Sequence, residues 1–331
     1  MPLLENLQQF DVTPSEFFIT LGFLCLLLFL QAAALGAPML ATATETLFVA
    51  RRKTFYDKCA MQIAQLACLL AIVSLAITGI FLFLCFRQPP SNAFPWAALP
   101  LCLVCLLIPL LPGLYLSSWN MLKTRRTPHI TLGMTAVALS FASLLACLLL
   151  LDMLQDPPFN FLSSRNELLD ALQEDPLVVL QARLLFYLDM PIFWPLLACI
   201  ATFGLAAASS LLQLWLFFRR KNADYGRDYY AFAIQYCARA AISFTMLASI
   251  ITCGIFLFLR NTLPPEFCQP PDPGILIVAA GLPLSCCLIW LCLVKSEFPL
   301  RHKPGAVFAC VFLLVALYAN MLLFGNSFPA L

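Results

Sequence analysis

Charge is scarce in this chain. Only 11% of its 331 residues are Asp, Glu, Lys or Arg, where a soluble domain carries about 25%. Histidine is scarcer still, with two in the whole sequence. Two histidines cannot serve several b-type haems, and fifteen cysteines without a CxxCH exclude c-type attachment. There is no Walker A sequence, no glycine-rich loop after a strand and no HExxH, so nucleotide-binding and zinc-protease chemistries have no foothold. What is abundant is apolar: 62% of residues are hydrophobic and the mean hydropathy is +0.90. A soluble core of this length could not hide that much apolar surface. The composition defines an all-α integral membrane protein, because only helices or closed barrels satisfy the backbone in lipid and these runs have helix length.

Eight runs are long enough to cross, near 17–48, 59–86, 95–117, 129–152, 191–217, 231–259, 274–294 and 305–325. The first, second and sixth exceed about 20 residues and are expected to tilt or to project beyond the lipid. Fourteen of the nineteen Lys and Arg residues fall in the loops after odd-numbered spans: Arg51, Arg52, Lys53, Lys58; Lys123, Arg125, Arg126; Arg219, Arg220, Lys221, Arg227; Lys295, Arg301, Lys303. The positive-inside rule then predicts a multi-pass membrane protein with both termini outside. Met1 to Glu16 has three acids and no Lys or Arg, unlike the basic n-region of a cleavable signal peptide, so the first span is expected to stay in the mature protein. The basic inner loops follow from topology and do not predict nucleic-acid binding. The long outer loop, 153–190, is expected to form two short helices, one opened by a Ser164–Glu167 capping box. Its acids include Glu167, Asp170, Glu174 and Asp175, candidates for docking a basic extracytoplasmic partner.

An internal repeat is the most specific pattern. Residues 79–84 and 254–259 both read GIFLFL, each followed by Pro-Pro, at Pro89-Pro90 and Pro264-Pro265. The first span ends in Arg51-Arg52-Lys53 and the fifth in Arg219-Arg220-Lys221. Aligned there, Gly36 falls on Gly204 and Glu45 on Gln213. The expected organisation is a four-helix repeat at 1–152, the acidic loop at 153–190 and a second four-helix repeat at 191–331. With an even number of helices each, the repeats lie parallel, related by an axis along the membrane normal. The small residues Ala32 to Ala34, Gly36 and Ala206 to Ser210 suit close contact between the bundles.

Ionisable groups inside spans are the default functional candidates, since lipid burial costs several kcal/mol. Glu45 and Arg239 qualify, with Gln213, Gln65 and Gln62 near them in sequence register. Two readings follow. Glu45 and Arg239 pair across the bundles, or the five residues line a polar pocket near the cytoplasmic leaflet that handles a quinone head group or a proton. Cys102, Cys105, Cys286 and Cys287 lie within apolar spans and read as small apolar filler; no metal site is expected. Cys85 and Cys268 occupy comparable outer ends of the repeats, which leaves a disulfide between them open. His129 and His302 lie at comparable inner helix ends beside basic residues and read as interfacial.

Leu35-Gly36-Ala37-Pro38-Met39 entering a long helix, the basic Arg51-Arg52-Lys53, and Thr78-Gly79 in the second span resemble the cytochrome bd oxidase subunit I-like proteins of bacterial redox complexes. Pro191-Ile192-Phe193-Trp194-Pro195 leading to Phe203-Gly204-Leu205 is similar in style to the helix that opens their second bundle. The resemblance implies two four-helix bundles. Haem-binding members place histidines in the first and fifth helices, and here neither helix has one. Their ninth helix and their quinol-binding loop have no counterpart; the loop at 260–273 is short. The resemblance therefore implies a haem-less relative that binds no cofactor covalently, contacts quinone and associates with cytochromes or iron–sulfur proteins. A small-molecule transporter of two parallel repeats and a structural assembly subunit are the competing expectations.

Overall fold

The computed structural model describes residues 14–87, 110–122, 125–154, 188–220 and 225–328. Among them are eight α-helices and no strand: α1 (Pro14–Arg51), α2 (Thr54–Arg87), α3 (Leu110–Ser117), α4 (Arg126–Leu154), α5 (Phe193–Arg219), α6 (Arg227–Thr262), α7 (Pro273–Lys295) and α8 (Lys303–Ser327). Six of these, α1, α2 and α5 to α8, are long and apolar enough to cross a membrane. The chain is a multi-pass, all-helical membrane protein. At 1.5 Å per residue the 38 residues of α1 extend about 57 Å, nearly twice the hydrocarbon thickness.

The helices gather their basic termini at one end. A two-residue link, Arg52-Lys53, joins α1 to α2, and Arg52 takes a left-handed conformation with φ 57° while its N–H caps the Phe48 carbonyl at 2.8 Å. This is the C-terminal stop that glycine usually supplies. Lys58 of α2 lies over the Tyr225 ring just before α6, and Arg227 of α6 over Phe298 just after α7. We call this the basic end.

Contacts fall into two groups. Helix α1 packs on α2 and α4, with α3 lying against α2 and α4; α5 packs on α6 and α8, and α7 packs against both of these. The groups meet chiefly where α1 crosses α5. A Cβ on Gly36 would lie 2.1 Å from the Gly204 carbonyl oxygen, and one on Gly204 2.5 Å from that of Ala32. The two backbones therefore touch, and only glycine fits at either position. Around the crossing Ala33, Ala34, Ala37, Ala41, Ala206, Ala207 and Ala208 are all buried. Between membrane helices, association comes from such close packing, since lipid is as apolar as leucine.

Toward the basic end an aromatic cluster joins the groups. Phe55 and Tyr56 of α2 meet Tyr229, Phe232 and Tyr236 of α6 at centroid separations of 5.1 to 6.1 Å. Two polar contacts cross with it: Thr44 Oγ1 to the Tyr236 hydroxyl at 3.0 Å, and the Tyr229 hydroxyl donating to Gln62 Oε1 at 2.9 Å. Beyond the Gly36–Gly204 crossing, in the other half, the helices separate around a cavity of about 980 Å³. Its walls are mostly apolar, including Leu28, Phe203, Met246, Leu284 and Leu317.

Candidate functional site

Glu45 sits on α1 six residues before its last residue, about 9 Å from the basic end of that helix. Its side chain is completely buried. Such a carboxylate is stable in the membrane only if donors replace its water, and three side chains do so. The Tyr115 hydroxyl of α3 donates to Oε2 at 2.6 Å. Arg126, the first residue of α4, places Nη1 3.3 Å from Oε1. His129, one turn into α4 and also completely buried, holds Nδ1 2.8 Å from both carboxylate oxygens.

Backbone and rings fix the imidazole. His129 Nε2 lies 2.9 Å from the Tyr115 carbonyl oxygen. A carbonyl only accepts, so Nε2 carries a hydrogen. The Tyr115 ring stacks on the imidazole at 4.3 Å, and the Trp119 ring meets it edge-on at 4.8 Å. Arg126 is held in turn. Its guanidinium lies 5.3 Å from both the Phe48 and Trp119 ring centres, and its Nη2 is 2.8 Å from Asp57 Oδ1 on α2. The exposure of these side chains rises outward from zero at Glu45 and His129, through 12% at Arg126, to 21% at Asp57.

Close approach of α4 to α1 assembles the centre. A Cβ on Gly133, one turn beyond His129, would lie 2.6 Å from Thr42 Oγ1 and 3.0 Å from Tyr115 Cε2. The missing side chain lets the helix carrying the histidine settle against the helix carrying the glutamate.

The other residues singled out from sequence are not part of this centre. Arg239 is exposed on α6. Its neighbour one turn earlier, Gln235, donates to the Ser296 carbonyl at the end of α7, so Arg239 lies about one turn deeper than that end. The structure does not bring Glu45 and Arg239 together as an ion pair; His129, Tyr115 and Arg126 surround the carboxylate instead. Gln213 is fully buried on α5, with neither amide atom hydrogen-bonded among the described residues. Gln62 accepts from Tyr229, and Gln65 is half-buried with Oε1 unpaired among the described residues. The acids Glu167, Asp170, Glu174 and Asp175 lie outside the described residues, as do Cys102 and Cys105. Cys268 is a free thiol, and the Cys85 side chain lies outside the described residues. Among the described residues no cluster of three or more His, Cys, Asp and Glu could hold a metal.

Sequence reasoning placed His129 at an interface and read Arg126 as a topological charge. Both belong to the centre, with Tyr115 and Asp57. The one signal pointing that way was rarity: one of only two histidines opens a long apolar helix.

The fold has a known counterpart. No family model matches the chain, and no curated protein matches it in sequence. Among solved structures, a chain of the bd oxidase from Geobacillus thermodenitrificans superposes with a TM-score of 0.62, covering 92% of this chain and 86% of that one at 11% identity. The chain thus has a bd-oxidase-like fold. Histidine ligation of haem does not fit the residues present: both ring nitrogens of His129 are engaged, and His302 is exposed before α8 at the basic end.

Proposed function

We propose that this chain is a haem-free membrane subunit of a respiratory or redox complex in the bacterial inner membrane. Its basic end faces the cytoplasm, and both termini lie outside. The observation that carries this reading is the bd-oxidase-like fold, which extends over nearly the whole chain. With no haem-ligating histidine available, electrons reach and leave through partner subunits. The outer acidic loop with Glu167, Asp170, Glu174 and Asp175 is the proposed docking point for an extracytoplasmic cytochrome or iron–sulfur protein.

The apolar cavity in the half away from the basic end suits the tail of a quinone. At about 980 Å³ it lies at the large end of small-molecule sites. Thr245 lines it, nearly fully buried, with a hydroxyl that has no hydrogen-bond partner among the described residues. The close approach of Gly36 to Gly204 supports two parallel four-helix repeats, since these are the glycines the repeat aligns.

Gentle purification from native membranes tests the proposal. Co-purifying redox subunits, haem confined to those partners and extractable quinone are expected. A solitary oligomer that carries a solute across vesicle membranes would replace this reading with the transporter.

A further inference from the structure

We infer that Glu45 and His129 form a one-proton exchange site reached from the basic end through Arg126 and Asp57. The inference rests on the geometry of the centre; the respiratory reading supplies only its purpose, a place to hold the proton that accompanies electron transfer.

The hydrogens at the centre can be counted. Tyr115 O–H points its hydrogen at Glu45 Oε2, and Arg126 N–H at Oε1. His129 Nε2–H is committed to the Tyr115 carbonyl. Nδ1 lies 2.8 Å from each carboxylate oxygen, and between them there is room for one further hydrogen. With it, the centre is an imidazolium–carboxylate pair or an imidazole facing a carboxylic acid. Without it, a neutral imidazole turns its Nδ1 lone pair toward a carboxylate.

Charge makes the two states unequal partners. The charged groups facing the pair are Arg126 of α4 and, across it, Asp57 of α2; Tyr115 of α3 is the other titratable neighbour. Two carboxylates and one guanidinium sum to minus one, so the added proton makes the cluster neutral. Loss of that proton leaves a net negative charge where both inner side chains are fully buried. Charge of this kind in a membrane interior is balanced by a change elsewhere, and a redox partner would supply such a change.

The route is one-sided. Asp57, 21% exposed, and Arg126, 12% exposed, lie between the centre and the basic end. Arg126 hydrogen-bonds Glu45 and ion-pairs with Asp57, so a proton arriving at Asp57 weakens that ion pair and alters the hold of Arg126 on Glu45. In the step itself, hydronium at the basic end gives its proton to Nδ1 and is left as water, entering past Arg126, which stays protonated throughout; the reverse step returns the proton to water. No bond other than N–H or O–H forms or breaks.

Having two histidines makes the test direct. The full chain in nanodiscs, labelled with 15N-histidine, presents two imidazoles, and His302→Gln leaves only His129. The expected result is a His129 ring whose Nε2 stays protonated while the hydrogen shared by Nδ1 and Glu45 exchanges with solvent deuterium. Asp57→Asn should keep that hydrogen and slow its exchange at least several-fold. A centre with no exchangeable hydrogen between Nδ1 and Glu45, in a chain that is otherwise folded, overturns the exchange site. Unaltered exchange in Asp57→Asn overturns the route. Neither readout needs a partner or a quinone, so the respiratory proposal can fail without touching this one.

Discussion

At the residue scale the consequences concentrate on Glu45. Removing a hydrogen-bond partner from a buried carboxylate costs roughly 1.5–3 kcal/mol, even where other donors remain, as Tyr115 and Arg126 do for Glu45. His129→Ala should therefore lower the thermal stability of the purified chain sharply. Replacing both residues, as Glu45→Gln with His129→Gln, should cost clearly less than the sum of the single changes. A double-mutant cycle by thermal melting in detergent measures this, and strict additivity would mean that the two side chains do not interact. Tyr115→Phe keeps the stacked ring and deletes one donor to a buried carboxylate. A loss of about 1.5–3 kcal/mol is expected, the range for hydrogen bonds to charged groups. None of these partners was legible in sequence. His129 is 84 positions from Glu45 and Tyr115 is 70, and nothing local to either marks them as neighbours.

At the scale of elements the glycines separate by what surrounds them. Gly36→Ala or Gly204→Ala would place a Cβ against a backbone carbonyl of the facing helix. Flexible side chains cannot yield there, so α1 and α5 must move apart, with a large loss of folded yield in size-exclusion profiles. Gly79 and Gly254 have nothing within 4 Å of an added Cβ. Alanine at either should be neutral or stabilise its helix by about 0.5–1 kcal/mol, by removing backbone freedom from the unfolded chain. The helices themselves were largely readable. A first span expected at 17–48 is observed as Pro14–Arg51, and one expected at 274–294 as Pro273–Lys295. Apolar run length and the basic residues that end each run leave little freedom in lipid. The third span, expected at 95–117, is described only from Leu110.

For the whole molecule the two halves of the membrane carry different equipment. The buried tyrosines Tyr56, Tyr115 and Tyr229 and the Glu45 centre lie toward the basic end, and the apolar cavity lies beyond the Gly36–Gly204 crossing. If that cavity holds a quinone tail, Ser249→Trp on its α6 wall should lower the quinone extracted per chain several-fold while the folded yield stays unchanged. Reporter fusions after Lys221 and after Leu331 test the orientation: cytoplasmic signal at the first and extracytoplasmic signal at the second are expected, and the opposite pattern would invert the molecule. The exposed Arg239 belongs to this scale too. Sequence offered it either as a partner for Glu45 or as part of a shared polar pocket, but it lies on an exposed face of α6 while Glu45 is enclosed by α3 and α4.

The sequence by itself determined the solvent, the helices and the end at which the positive charge collects, because each follows from local hydropathy and from charges next to span ends. The small-residue stripes on α1 and α5 likewise announced a close crossing. Only the tertiary structure decided what Glu45 faces. A buried carboxylate needs donors from several directions, and here α3 and α4 bring them across 70 to 84 positions of chain. The absence of a side chain at Gly133 lets those helices come close enough. The scarcity of histidine, first a limit on haem, ends as the mark of a single imidazole with both nitrogens in use.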